Sequence, residues 1–318
     1  MPQIIPNISK QIYYENVISV LEDKYADIGP IWVGLQMEWN NDIYSAFKDH
    51  DKYLIIIYLL KKTLDFYSRN FIKLSFEDFY KDDVVEIEKF NIMEVANYLK
   101  IPKESARRKV NELEKNQVIK RINKKILIDR SAYDYVKPVN SVKRISRFLS
   151  VCSEHLFYEK ILDKKLTTND LQNTIKQNFS YVWKLYYDIQ IPMMVGYKNF
   201  FKDLESFHIF GTCVVNQHLF SKQINPNQMS RKEFIKSIYS TAEMRGLNAM
   251  SISDITGIPR ATVVRKLSKL VKKNHLSIDN KKHYKVTGHL IRQLVPLQNI
   301  VLKNLADFST KVFNLKVL

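Results

Sequence analysis

Residues 252–276 read ISDITGIPRATVVRKLSKLVKKNHL, and this stretch decides the fold. Val263, Leu267 and Leu270 recur at i, i+4 and i+7, the spacing of one apolar stripe on a helix. Pro259 suits the first turn of that helix, and Gly257 suits the left-handed position that ends the helix before it. The earlier helix begins at Asn248, whose side chain can cap it, and its pattern turns Ile252 and Ile255 inward. Past Leu276 the period shortens towards two. Residues 276–286 (LSIDNKKHYKV) predict two short strands joined at the basic tip Asp279-Asn280-Lys281-Lys282.

The same plan occurs earlier in the chain. Residues 94–119 read EVANYLKIPKESARRKVNELEKNQVI, and residues 91–128 laid on 248–285 without a gap share 11 of 38 positions. Among them are Asn91/Asn248, Pro102/Pro259, Arg108/Arg265, Lys109/Lys266 and the tip residues Asn123/Asn280, Lys124/Lys281 and Lys125/Lys282. Asn91 followed by Glu94 forms a capping-box arrangement, Val95, Tyr98 and Leu99 are expected inward, and Ala106, Val110 and Leu113 repeat the apolar stripe. Residues 118–128 (VIKRINKKILI) predict the second hairpin. Weaker matches lie upstream, FKD at 47–49 and 201–203 and PxxVG at 30–34 and 192–196, offset by three and five residues from the main register. A duplicated unit of about 140 residues follows.

These two stretches resemble the winged helix-turn-helix of bacterial transcription regulators of the MarR, Crp and IclR kind. The likeness covers about 45 residues in each half. It implies that the second helix of each copy, about 103–116 and 260–273, enters the major groove of double-stranded DNA, while the hairpin wing meets phosphate or the minor groove. The groove-facing residues are then Lys103, Glu104, Ser105, Arg107, Arg108 and Asn111 in the first copy, and Arg260, Ala261, Thr262, Val264, Arg265 and Ser268 in the second. Arg121, Lys124, Lys125, Lys281 and Lys282 are the wing contacts. The first copy departs from the pattern at Lys100, where glycine is usual, and at Glu104 on the groove face.

Charge follows the same division. The chain of 318 residues carries a net charge of +17. Residues 91–130 hold 11 basic and 5 acidic side chains and residues 230–290 hold 13 and 4, so these blocks carry +15 of the total, whereas residues 1–90 are net −5. Lys outnumbers Arg 38 to 12, which raises lysine everywhere, but two basic blocks in a near-neutral background point to two polyanion-facing surfaces.

Composition removes other classes. Of the seven glycines none has the GxGxxG spacing, and Gly29 and Gly34, spaced as in a P-loop, are followed by Leu35-Gln36 rather than Lys-Ser/Thr. No nucleotide cofactor is expected. Cys152 with His155, and Cys213 with His208 and His218, lack the second clamp of a zinc site and read as core packing. Asp82, Asp83, Glu86 and Glu88 form an acidic run without a nearby nucleophile and read as a solvated helix or loop. No nucleophile elbow is present, so a non-enzyme without metal is expected. Two cysteines and an eight-residue longest apolar run (53–60) point to a cytoplasmic chain with no membrane span.

The reading that results is a mainly α fold with two small β-hairpin wings, tandem winged-helix repeats embedded in helical segments. Residues 1–138 hold a helical segment and the first winged helix (core about 91–130), 139–290 a helical segment and the second (core about 230–288), and 291–318 a C-terminal helix. Helical spacing is expected over 10–25, 41–69, 141–162, 170–189, 197–222 and 229–245. Leu290, Leu294, Leu297, Val301, Leu305, Phe308 and Phe313 form a stripe that either ties the halves together or makes a homodimer interface. The expected function is a DNA-binding transcription regulator, with a plasmid or phage replication initiator, or a protein-binding helical scaffold, as alternatives. Any small-molecule effector, enclosed by the aromatic-rich helices, is left unnamed by the sequence.

Overall fold

The two halves of the chain lay down their elements in the same order. The computed structural model describes residues 8–132, 138–224, 227–240 and 246–317. The first half runs α1 (Tyr14–Asp23), α2 (Tyr25–Phe47), α3 (His50–Arg69), α4 (Phe76–Phe79), β1 (Val84–Ile87), α5 (Ile92–Leu99), α6 (Lys103–Lys115), β2 (Ile119–Ile122), β3 (Lys125–Asp129) and α7 (Val139–Tyr158). The second runs α8 (Thr168–Gln177), α9 (Phe179–Phe201), α10 (Leu204–Ile224), α11 (Arg231–Ser240), α12 (Ala249–Thr256), α13 (Arg260–Lys272), β4 (Leu276–Ile278), β5 (Tyr284–Val286) and α14 (Gly288–Val317). The fold is thus mainly helical with two small antiparallel sheets. Among the described residues no helix is long and apolar enough to cross a membrane.

Local chemistry sets the joints. Helices α2 and α9 are each 23 residues long and each ends at a left-handed lysine, Lys48 (φ 52°) and Lys202 (φ 74°). An aspartate follows at once. Asp49 accepts from the Asp51 amide at 2.9 Å and Asp203 from the Ser206 amide at 2.7 Å, so each aspartate caps the next helix. The FKD recurrence is this joint, and it splits the expected helix 41–69 into α2 and α3. Asn178 splits 170–189 in the same way, between α8 and α9. Gly29, Pro30 and Gly34, poor helix formers, hid α2 from the sequence pattern, yet Pro30 lies within it. Residues 241–245 of the expected helix 229–245 lie outside the described residues.

Packing runs between the halves as much as within them. Helix α3 lies on α9, and its counterpart α10 lies on α2; α7 packs on α8, and its counterpart α14 packs on α1. Each pairing across the halves is answered by its counterpart, and one continuous core joins both. Trp39 of α2 stands edge-on to Tyr53 of α3 and Tyr186 of α9 at 5.5 and 6.5 Å, and Tyr186 reaches Phe308 of α14. In this order α7 holds the place in the first half that α14 holds in the second.

Tail residues Leu290, Leu294, Val301, Leu305, Phe308 and Phe313 are all buried inside the chain, against α1, α8 and α9. Each such side chain contributes roughly 1.5–3 kcal/mol by leaving water, so the stripe stays where it is and ties the halves together. Asn314 closes the tie by accepting from the Ile12 amide at 2.8 Å and donating to its carbonyl at 2.9 Å.

Two expectations are corrected here. The acidic run 82–88 contains a strand, β1, antiparallel to β3 with Val85 and Ile87 buried; its two-residue alternation is masked by the surrounding carboxylates. In the second half Leu247 makes the corresponding bridge to Tyr284. Gly246 permits it, since a Cβ there would stand 2.3 Å from the Tyr284 carbonyl oxygen. Tyr98 and Ile255, expected inward, are 44% and 47% exposed, because on these eight-residue helices the buried face is made by Val95, Ala96 and Leu99 in the first and by Ile252 and Thr256 in the second. At the first turn Lys100 itself takes the left-handed conformation (φ 51°) that Gly257 takes in the second (φ 67°), so the turn keeps its shape and is strained.

A side chain in that conformation costs roughly 1 kcal/mol. Lys100→Gly is therefore expected to stabilise the chain by about 1 kcal/mol, and Gly257→Ala to destabilise it by a similar amount. Thermal midpoints of the two variants check this. A lower midpoint for Lys100→Gly would contradict the strain.

Candidate nucleic-acid interface

Helices α6 and α13 are held against the body by a buried cation in the middle of each. Lys109 and Lys266 are both 8% exposed. Lys109 pairs with Asp49 and lies 3.7 Å from Asp51, and Lys266 lies 2.7 Å from Asp203 and 3.1 Å from Glu205. The partners are the capping aspartates of α3 and α10 and the acid two residues on. Burial opposes ionisation of Asp49 and Asp203, but the hydrogen bonds and charge of Lys109 and Lys266 outweigh it and hold both carboxyls below their ordinary value. Sequence reasoning passed over both lysines. Their identity in the two copies, together with the FKD recurrence, was the available signal.

With Ala106, Val110 and Leu113 buried on one side of α6, and Val263, Leu267 and Leu270 on one side of α13, the opposite faces point outward. Lys103, Glu104, Arg107, Arg108 and Asn111 are exposed on α6, and Arg260, Ala261, Val264, Arg265 and Ser268 are exposed on α13. Ser105 and Thr262 are half-buried. Val264 is 46% exposed, so it is not core packing.

The hairpin tips stand beside these faces. Ile122 pairs with Lys125 across a two-residue turn in which Asn123 (φ 48°) and Lys124 (φ 65°) are both left-handed. That is the primed turn a twisted hairpin prefers, and it makes Lys125 the first residue of β3 rather than a turn residue. In the second tip the Asp279 carboxylate accepts from the Lys281 and His283 amides, both at 2.9 Å, which leaves the Lys281 and Lys282 side chains exposed.

Electrostatically the two faces differ. In the first copy Arg107 is bound to Glu104 at 2.6 Å, Arg108 to Glu112 at 3.3 Å, Arg121 to Glu114 at 2.8 Å and Lys125 to Glu86 at 2.8 Å. Arg121 also lies over the Phe90 ring. Helix α6 carries five basic and three acidic side chains, whereas α13 carries five basic and none. Among the described residues Arg260, Arg265, Lys269, Lys272, Lys281 and Lys282 make no ion pair. The second face therefore presents bare cations, whereas on the first Arg107, Arg108, Arg121 and Lys125 are already paired with carboxylates, and among the described residues only Lys103 and Lys124 of its basic contact residues make no ion pair.

Two groups outside this surface were also weighed from sequence. Cys152 and Cys213 are buried, and burial pushes the Cys213 thiol up to about 12. Among the described residues no group of three His, Cys, Asp or Glu is placed to hold a metal ion. A third, Arg130, gave no signal: it is fully buried, donates to the Phe79 carbonyl at 2.9 Å and to the Asp82 carbonyl, and stacks on Tyr80 at 4.3 Å, fastening β3 to the turn before β1.

No family model matches the chain, and no curated protein or solved structure matches it either. The interface is therefore argued from its own chemistry.

The lowered carboxyls make stability depend on pH with a definite sign. A depressed folded-state pKa contributes stability that is complete above the unfolded value of about 3.9 and is lost as the pH falls through the folded value. Wild type should lose stability on acidification below about pH 4, and the Asp49→Asn, Asp203→Asn double variant should show a shallower loss. At neutral pH, Asp203→Ala alone should cost about 1–3 kcal/mol by leaving Lys266 short of a partner. Urea unfolding at several pH values measures all three quantities.

Proposed function

We propose that the chain is a sequence-specific double-stranded DNA-binding transcription regulator whose two winged helices act as an internal pseudo-dimer. The observation that carries this reading is the matched placement of two exposed basic helices, each anchored by the same buried lysine–aspartate pair on halves that pack reciprocally. Reciprocal pairing is what an isologous dimer displays, and here one chain contains both partners. In this reading α6 and α13 enter successive major grooves, and the tips at Lys124–Lys125 and Lys281–Lys282 lie over phosphate.

The faces divide the work unequally. Arg108 and Arg265 are the shared guanine-reading candidates, while Glu104, Arg107 and Asn111 face Ala261, Val264 and Ser268 across the duplication. Half-sites should share at most one base pair and differ beside it, giving an imperfect palindrome. Because α13 and its wing hold unpaired cations, the second head supplies most of the phosphate-facing charge. The first, with Arg107 and Arg108 already held by carboxylates, discriminates more than it attracts.

Selection of bound DNA from a random pool tests this. Arg265→Ala should cost about 1–3 kcal/mol and relax one position of one half-site, with Arg108→Ala doing so in the other. Equal weakening of both half-sites by either variant would sink the pseudo-dimer, and enrichment of direct repeats alone would favour a replication initiator.

Salt dependence gives a separate check on the wings. Replacing Lys281 and Lys282 together by alanine should reduce the log–log salt slope by about 2, since each neutralised phosphate contributes about 0.9. Lys125→Ala should change the slope far less, because Glu86 already holds that charge. Filter-binding titrations across salt concentrations decide between equal and unequal effects.

A further inference from the structure

Between the halves lies a cavity of about 110 Å³, walled by α2, α9, α10, α11 and α14. Its lining is mostly aromatic and aliphatic, with Trp32, Tyr197, Phe207 and Phe210 among the walls. One wall is different. Gln36 is 3% exposed and lines the cavity, yet neither its amide oxygen nor its amide nitrogen has a hydrogen-bond partner among the described residues. His218, also buried and also on the lining, has an unpartnered Nδ1. Two unpaired polar groups in an apolar chamber are costly unless something meets them.

Comparison of α2 with α9 shows why the space exists. Aligned from their first residues, the two helices place Gln36 opposite Gln190, and Gly29 and Val33 opposite Trp183 and Tyr187. On α9 the rings of Phe179, Trp183 and Tyr187 pack on one another. On the α2 side the small residues leave room, and the Tyr25 ring folds over Gly29, where a Cβ would collide with it.

We propose that this cavity is a binding site for an uncharged single-ring molecule carrying an amide or lactam, whose donor and acceptor pair with the two free amide atoms of Gln36. The space limits the occupant to one ring with a small substituent, since an apolar cavity of about 150 Å³ takes up benzene and this one is smaller. Arg231, at the rim, is spent on Glu22 at 3.1 Å and Asn299 at 2.8 Å, so the site does not require an anion. Helix α10 connects it to the second basic helix. The residue before His218 is Gln217, whose side chain accepts from the Val286 amide of β5, and α10 also packs on α12 and α13. A ligand in the cavity thus bears on the element that carries the second wing.

The test uses the full chain without DNA and benzamide as the probe, with toluene as its apolar counterpart, by calorimetric titration. Wild type should bind benzamide. Gln36→Leu should weaken benzamide about tenfold while leaving toluene nearly unchanged, as expected when one hydrogen-bonded pair is lost. It should also raise the melting temperature of the unliganded chain, since a buried unpartnered amide is removed. Val33→Tyr, which copies Tyr187 of α9, should lose uptake of both probes while keeping the wild-type circular dichroism spectrum; if that variant does not fold, the Gln36→Leu comparison decides alone. No benzamide uptake by wild type, or equal uptake by Gln36→Leu, overturns the proposal. Because uptake is read without DNA, its failure leaves the DNA reading standing, and failure of DNA binding leaves the cavity's result untouched.

Discussion

The arrangement of the exposed basic helices depends on a lysine buried in the middle of each. Lys109 and Lys266 lie on the inner side of α6 and α13, where a charge is expensive, and each is met by an aspartate that also caps the neighbouring helix. One carboxylate therefore does two things. It ends the disorder at the joint between two long helices, and it fixes the rotation of the basic helix about its own axis. With that rotation set, Arg108 and Arg265 can only point outward. A hydrophobic pair at the same place could hold the helix as firmly, but it would tolerate rotation more readily than a directional ion pair.

That joint also connects the halves. Asp51, two residues after the first capping aspartate, accepts from Lys198 of α9 at 2.7 Å while lying near Lys109, so the first basic helix is tied through α3 to the opposite half. The buried rings of His50 and His208, from equivalent ends of α3 and α10, meet edge to face at 5.3 Å beside it. Rigid-body freedom of either basic helix is correspondingly small. A fixed separation between the two basic helices is what a single chain gains by containing both halves, since no entropy is lost in bringing two separate subunits together.

Duplication followed by divergence explains the inequality of the two faces. The backbone plan is kept to the level of cap, left-handed lysine and buried ion pair, while the outward positions differ. Glu104, Glu112, Glu114 and Glu86 each sit within reach of a cation in the first copy, and Ala261 and Lys269 stand in place of Glu104 and Glu112 in the second. Inner residues are constrained by packing against a shared core; outer ones answer only to what the surface meets.

Read alone, the sequence determined the helix–turn–helix–hairpin order in both copies, the outward faces of the helices 103–115 and 260–272, and the basic tips. These follow from local rules, an apolar stripe of period 3.6, a proline at a helix start, and a glycine where the backbone turns left-handed, all legible within a few residues. Tertiary structure alone decided the rest. Tyr98 and Ile255 stay partly exposed because the buried faces of their short helices are filled by Val95, Ala96 and Leu99 and by Ile252 and Thr256, with Tyr98 meeting the core through the Tyr58 ring. The strand β1 forms because β3 lies beside it, and α2 persists through Gly29 and Pro30 because its other side is buried against α7 and α10. The pairing of Lys109 with Asp49 spans 60 residues, and that of Lys266 with Asp203 spans 63. No window of local pattern reaches so far, so only the packed chain could bring those charges together.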